Sequence, residues 1–194
     1  MGIQILEETV EALEDYSRVP IAFRVETRFR VEPINNGLGG FLLVEEKVEP
    51  PYVKNYDSDK GEGPTRWRKR WDIEHWGVLS AFDGERRVGG AVVAYDTEGV
   101  FMLEGRKDLA AVWDIRIHPD YRGCGIGSQL FERAVNWARA RGCRHLTAET
   151  QNINVPACRF YAKQGCELGA IDRYAYPDHP DEVQLIWYMS IEKR

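Results

Sequence analysis

Apolar and polar positions change period along the chain, and each period predicts an element. Phe23, Val25, Thr27, Phe29 and Val31 alternate, and Phe41 to Val48 is a second strand-like run. Between them, Asn35-Asn36-Gly37 and Gly39-Gly40 supply turn chemistry, so the pair forms a hairpin. Val78 to Phe82 and Arg87 to Tyr95 flank Asp83-Gly84 and form another. Ala111 to Ile117, Arg144 to Thr150 and Val183 to Ile191 are apolar runs of strand length. Leu6, Val10 and Leu13 stand at helical spacing and predict a short helix over Glu7 to Tyr16. Ile126, Leu130, Ala134 and Ala138, flanked by Phe131 and Val135, make one stripe of a helix from Gly125 to Arg141, with Gly142 as its C′ residue. Asn154 caps a further helix, with Pro156 in its first turn and Gly165 past its end. Glu49 to Lys69, rich in Pro, Gly and charge, is expected to be a long surface loop. No repeat or linker divides this pattern, which predicts a single domain over residues 1–194.

Chemistry concentrates where the strand ending at Ile117 meets the helix opening at Gly125. Asp120-Tyr121-Arg122-Gly123-Cys124-Gly125-Ile126-Gly127-Ser128 is a glycine-rich turn that leaves backbone N–H groups bare at a helix N-terminus, a ready site for an anion. A P-loop is disfavoured because no lysine precedes Ser128. A dinucleotide fingerprint read from Gly123 meets Ser128 where its third glycine belongs, although Glu149 falls near the distance of a ribose-binding acid.

Composition narrows the class. An excess of 31 acidic over 26 basic residues disfavours non-specific binding to nucleic acid or anionic membranes. No apolar run approaches the length of a membrane span, and the start Met1-Gly2-Ile3-Gln4-Ile5-Leu6 lacks a basic leader and the Ser or Thr of a myristoylation signal, so a cytoplasmic location is expected. Cys124, Cys143, Cys158 and Cys166 include no C-x-x-C pair, and His75, His118, His145 and His179 are scattered, so no metal site is expected and the thiols should pack as small apolar groups. Arg66-Trp67-Arg68-Lys69-Arg70-Trp71 mixes bases with aromatics, but a solvated basic loop or strand face fits the acidic total charge better than a nucleic-acid platform. Trp113 and Trp137 are expected in the core.

Arg122-x-x-Gly125-x-Gly127 resembles the acetyl-CoA loop of the GNAT N-acetyltransferase superfamily, and Asn154-x-x-Ala157-x-x-Phe160-Tyr161-x-x-x-Gly165 is similar to its second signature. Cys166 departs from it, standing where the family usually has phenylalanine. The resemblance implies a mixed, largely antiparallel sheet flanked by helices, here with an extra N-terminal hairpin and a cofactor-binding core at about residues 77–170. It implies that acetyl-CoA lies against Ile115, Ile117, Arg122, Gly123, Cys124, Gly125, Ile126, Gly127, Ser128, Asn154 and Tyr161, where the strand carrying Ile115 and Ile117 splays from its neighbour. Tyr161 matches the residue that protonates the leaving thiolate, a donation suited to a phenol of pKa about 10.

An amine of pKa about 10 must first lose a proton. Asp114, Glu149 or a water chain can be the acceptor, and each carboxylate has a second reading: a structural hydrogen bond for Asp114, and for Glu149 a solvated or substrate-orienting role that attracts a cation. Within the superfamily, Pro51-Tyr52-Val53-Lys54-Asn55-Tyr56, Trp113-Asp114-Ile115 and Glu149-Thr150-Gln151-Asn152 are most similar to streptothricin acetyltransferases. That resemblance implies direct acetyl transfer, in a ternary complex, to a primary amine of a small cationic acceptor. Asp114, Glu149, Asp172 and Asp178 with Tyr174, Tyr176 and Trp187 are then candidates for an acidic, aromatic-walled pocket. A peptide acceptor and a non-catalytic acyl-CoA sensor stay open as alternatives, and so do monomer and homodimer.

Overall fold

The computed structural model describes residues 2–58 and 63–191. It divides into two compact units, Met1–Ala22 with Asn55–Ala148 and Met189–Arg194, and Phe23–Lys54 with Glu149–Tyr188.

In the first unit, strands β1 (Gln4–Glu8), β4 (Gly77–Asp83), β5 (Arg86–Tyr95), β6 (Leu109–Ile117) and the start of β7 (His145–Gln151) lie in the order β1-β4-β5-β6-β7. The first three pairings are antiparallel, and β6–β7 is parallel. A parallel pair needs a crossover, here the fifteen-residue helix α3 (Ile126–Ala140). Alternation along β4 puts Gly77 and Ser80 on opposite faces, and Ser80 pairs with Gly90. A Cβ on Gly77 would stand 2.5 Å from Trp137 of α3, and one on Gly90 2.5 Å from the Tyr16 ring of α1 (Leu13–Tyr16). Both glycines therefore admit an aromatic ring against the sheet, one on each face. The Tyr16 face carries a core cluster, with Leu13, Trp67, Ile73, Trp76, Val78, Val92 and Leu103.

The second unit holds the expected hairpin, β2 (Phe23–Pro33) with β3 (Phe41–Lys54), turned by Asn35, Asn36, Gly37 and Gly40 at positive φ. It also holds α4 (Val155–Lys163) and the end of β7, beside β9 (Gln184–Ser190) and then β8 (Glu167–Asp172). Asn152, 3% exposed, ties these pieces together. Its Nδ2 donates to Phe29 O at 2.8 Å, and its Oδ1 accepts from Val183 N–H at 2.8 Å.

The expected long strands and both long helices form within a few residues of their predicted ends. Three expectations fail. Glu7 and Glu8 belong to β1, which pairs with β4, and only Leu13–Tyr16 is α-helical. Glu49 to Lys54 extends β3 instead of opening a loop, and Pro64–Arg70 is helix α2. Within it Trp67 is 4% exposed, so the basic-aromatic run is a helix with a core face. Residues 59–62 of that expected loop, and Met1 of the N-terminal reading, lie outside the described residues. Trp137 is buried as expected, while Trp113 is half-buried against the core. No helix among the described residues is long and apolar enough to cross a membrane.

Candidate active site

On β6 the pairing with β5 passes from Val93↔Val112 to Val92↔Asp114, so Trp113 is an extra residue, a β-bulge. The parallel ladder to β7 ends one residue earlier, at Val112↔Ala148 among the described residues. Asp114–Ile117 stays paired with β5 beyond the bulge. The bulge turns Trp113 into an aromatic cluster, with ring centroids 4.9 Å from Trp71, 5.5 Å from Trp76 and 6.5 Å from Phe101.

Asp114 and Arg116, two apart on one strand face, are joined by hydrogen bonds of 2.8 and 2.6 Å. Arg116 has a side chain 1% exposed, and it also holds Asp57 through bonds of 2.9 and 3.1 Å and Val19 O at 3.1 Å. Tyr16, fully buried, donates to Asp114 Oδ1 at 2.5 Å. Burial raises the Tyr16 phenol well above its ordinary pKa, helped by the Asp114 charge. Burial alone would lower Arg116, but the charge and hydrogen bonds of Asp114 outweigh it and the net direction is up. The guanidinium therefore stays charged. Both oxygens of Asp114 are engaged inside the protein, which is the structural reading of that residue. Tyr16, Asp57 and Arg116 were not candidates from the sequence.

The turn after β6 places Gly123 at φ 78° and Gly125 at φ 82°, a region that L side chains rarely adopt. A Cβ at either would meet nothing within 4 Å, so the loop faces open space. Gly125 is the N-cap of α3 and offers no side-chain cap. The first backbone bond there runs from Gln129 N–H to Gly125 O, so the amides of the first turn point ahead of the helix. Arg122 donates from Nε to Ile117 O at 3.0 Å and from Nη2 to Ala22 O at 2.9 Å. Its side chain pins the loop to the end of β6, and burial lowers its pKa. Cys124 is exposed in this loop, unlike the packed thiol expected; Cys143, Cys158 and Cys166 are buried, and burial pushes Cys166 up to about 12. This geometry fits the phosphates of a cofactor, with backbone donors and no acidic side chain in the first turn of α3.

In the second unit, Glu149 Oε1 accepts from Tyr176 OH and from Gln151 Nε2, the latter at 3.2 Å. Burial raises the Glu149 carboxyl above the ordinary range, partly opposed by hydrogen bonds from Tyr176, Gln184 and Gln151. Tyr161 is 3% exposed on α4, its ring 5.1 Å from that of Phe160. Asn154 is the N-cap of α4, accepting from Ala157 N–H at 3.2 Å. Asp172 closes a turn by accepting from Tyr174 N–H at 2.8 Å, which leaves Tyr174 84% exposed; Asp178 is exposed as well. Trp187 is 7% exposed and donates from Nε1 to Thr150 Oγ1 at 2.9 Å. Of the grouped pocket candidates, Glu149 and Tyr176 are hydrogen-bonded to each other. Among the described residues no cluster of His, Cys, Asp and Glu could hold a metal ion.

The pattern of the acetyltransferase (GNAT) family matches residues 42–166. Streptothricin acetyltransferase A of Bacillus subtilis (strain 168) is 29% identical over 193 residues, covering 95% of this chain and 98% of its own. A streptothricin acetyltransferase of Escherichia coli is 37% identical over 153 residues, 77% of this chain and 76% of its own. The crystal structure of nourseothricin acetyltransferase superposes with a TM-score of 0.75 at 26% identity, covering 99% of this chain and 100% of that one. A Bacillus anthracis str. Ames protein solved in complex with acetyl coenzyme A has the same fold, with a TM-score of 0.74 at 24% identity and 99% of each chain covered. The chain belongs to the GNAT acetyltransferase family and is an acetyl-CoA-dependent N-acetyltransferase.

Proposed function

We propose that this enzyme acetylates a primary amine of a small cationic acceptor of the streptothricin class. One observation carries the choice of acceptor. Similarity to the Bacillus subtilis streptothricin enzyme runs over 95% of the chain, well beyond residues 42–166 of the family pattern. The relatives described as bS18-alanine or N-alpha-acetyltransferases match between 41% and 67% of it.

Acetyl-CoA brings the activated acyl group as a thioester. The loop Arg122–Ser128 and the α3 N-terminus hold its phosphates, and the β6 segment at Ile115 and Ile117 takes the extended arm. Glu149 removes the proton from the acceptor ammonium. The amine nitrogen then attacks the carbonyl carbon, the C–S bond breaks as the tetrahedral centre collapses, Tyr161 gives its proton to the departing sulfur, and the second proton shed by the nitrogen restores the phenol. Asp114, already bonded by Tyr16 and Arg116, fixes the bulge and leaves the base role to Glu149.

Thiol release from acetyl-CoA, measured with streptothricin against aminoglycosides, polyamines and peptides, tests the proposal. Turnover with streptothricin and little with peptides is expected. Turnover confined to peptides would sink the acceptor assignment. Tyr161→Phe is expected to lower kcat by about 10²-fold while the acetyl-CoA Kd stays within about twofold, because a general acid acts in the transition state and not in binding. An unchanged kcat would remove Tyr161 from the mechanism.

A further inference from the structure

The carboxylate of Glu149 meets a phenol whose own geometry fixes the direction of their hydrogen bond. Gln151 Nε2 donates both to Glu149 Oε1 at 3.2 Å and to Tyr176 OH at 3.0 Å. The Tyr176 oxygen thus already accepts one bond, and its single proton points to Glu149 Oε1. Burial and the Glu149 charge raise the phenol above its ordinary pKa, so it remains a neutral donor. Neither Tyr176 nor Gln151 takes Oε2 in these bonds.

Tyr176 sits in the connection between β8 and β9, and that connection is held along its length. His179 N–H donates to Tyr176 O at 3.0 Å and Glu182 N–H to His179 O at 2.9 Å. Lys54 Nζ meets Glu182 at 2.9 Å with both side chains 11% exposed. Val183 N–H is bound by Asn152. A segment anchored this way presents its phenol at a fixed place.

We infer that Tyr176 is a positioning residue for the acetyl transfer, holding the Glu149 carboxylate in one orientation and setting its proton affinity through the bond to Oε1. This rests on the reading of Glu149 as the base. The groups bonded to Glu149 come from three places: Gln151 on its own strand, Gln184 on β9 and Tyr176 on the connection. Among them Tyr176 is the one titratable group, and all three hydrogen bonds stabilise the charged form against burial. The sign of the effect follows. Without the Tyr176 hydroxyl the carboxylate loses a donor, its pKa rises further, and the base becomes protonated at higher pH.

The test is a titration of the Glu149 carboxyl by ¹³C NMR in the intact protein, with Glu149→Gln to assign the signal, beside the pH profile of kcat/KM with streptothricin as acceptor. Tyr176→Phe is expected to move the carboxyl midpoint and the acidic limb of the profile upward by about one to two units, the worth of a hydrogen bond to a charged group. Below both limbs its kcat/KM should fall about tenfold or more, and at high pH it should approach the wild-type plateau. The phenyl ring keeps its half-buried seat, so the fold is retained. Gln151→Leu, which removes the second donor to the same oxygen, should shift the midpoint in the same direction. If Tyr176→Phe leaves midpoint and limb in place while Glu149→Gln abolishes the limb, the role of Tyr176 is overturned and the base reading survives. If Glu149→Gln keeps the wild-type rate and limb, the base reading fails and the inference with it.

Discussion

Replacing Arg116 by methionine is expected to cost about 3–5 kcal/mol of folding stability, the largest single loss we expect in this chain. The guanidinium is 1% exposed and lies between two carboxylates, Asp114 with a side chain 7% exposed and Asp57 with one 27% exposed. Methionine fills much of the volume but leaves the buried Asp114 carboxyl without its guanidinium, keeping the bond from Tyr16. It also releases Val19 O and detaches the segment around Asp57 from β6. For a chain of 194 residues such a loss lowers the melting temperature by about 10 °C. Asp57→Asn removes a more exposed charge and keeps an acceptor, so about 1 kcal/mol is expected. Denaturant melts of the two variants give the comparison. Equal and small losses would mean that water reaches the network and that it does not brace the bulge.

That network also shows where sequence reading stops. The Arg122–Ser128 loop, α3 and the hairpins were legible because their signals are local: positive-φ glycines, a 3.6-residue stripe, Asp-Gly and Asn-Gly turns. Arg116 bonds Asp57 across 59 positions and Tyr16 reaches Asp114 across 98, and no periodicity encodes partners so far apart. Asp114 was visible as a carboxylate beside the loop, but its partners decide between base and brace.

The missed elements have similar causes. Leu6, Val10 and Leu13 do stand at helical spacing, yet Gln4–Glu8 gains more by adding an edge strand to β4. Helix α2 is seven residues with four cationic side chains, so its buried Trp67 carries the whole apolar signal. Strand β8 is short, contains Gly169 and turns mostly exposed residues outward, which erases alternation. Gly169 itself has a structural reason: a Cβ there would stand 2.4 Å from the Tyr188 ring across the pair. In the site, Tyr176 was visible as an aromatic near acids, but its tie to Glu149 was not, because the connection that carries it has no regular period.

The glycine loop yields the second large effect, a loss of affinity well beyond the accompanying loss of stability. Gly125→Val is expected to weaken acetyl-CoA binding by about 100-fold or more, on the proposal that this loop holds the phosphates. At φ 82° a β-branched residue is strained by about 1–2 kcal/mol, although its Cβ would meet no neighbour. The strain is relieved by turning the peptide, and turning it re-aims the amides on either side of the α3 N-cap. Losing one or two hydrogen bonds to a charged phosphate, each worth about 1.5–3 kcal/mol, gives that factor. Gly142 supplies the control. It has φ 78° and equally open surroundings, but it follows the far end of α3. Gly142→Val carries the same backbone strain, so both variants should lose about the same stability in a thermal melt. Only the Gly125 variant should lose acetyl-CoA affinity by calorimetry. Matched affinity losses would mean that the strain acts through α3 as a whole, and an unchanged Kd for Gly125→Val would move the phosphates away from this loop.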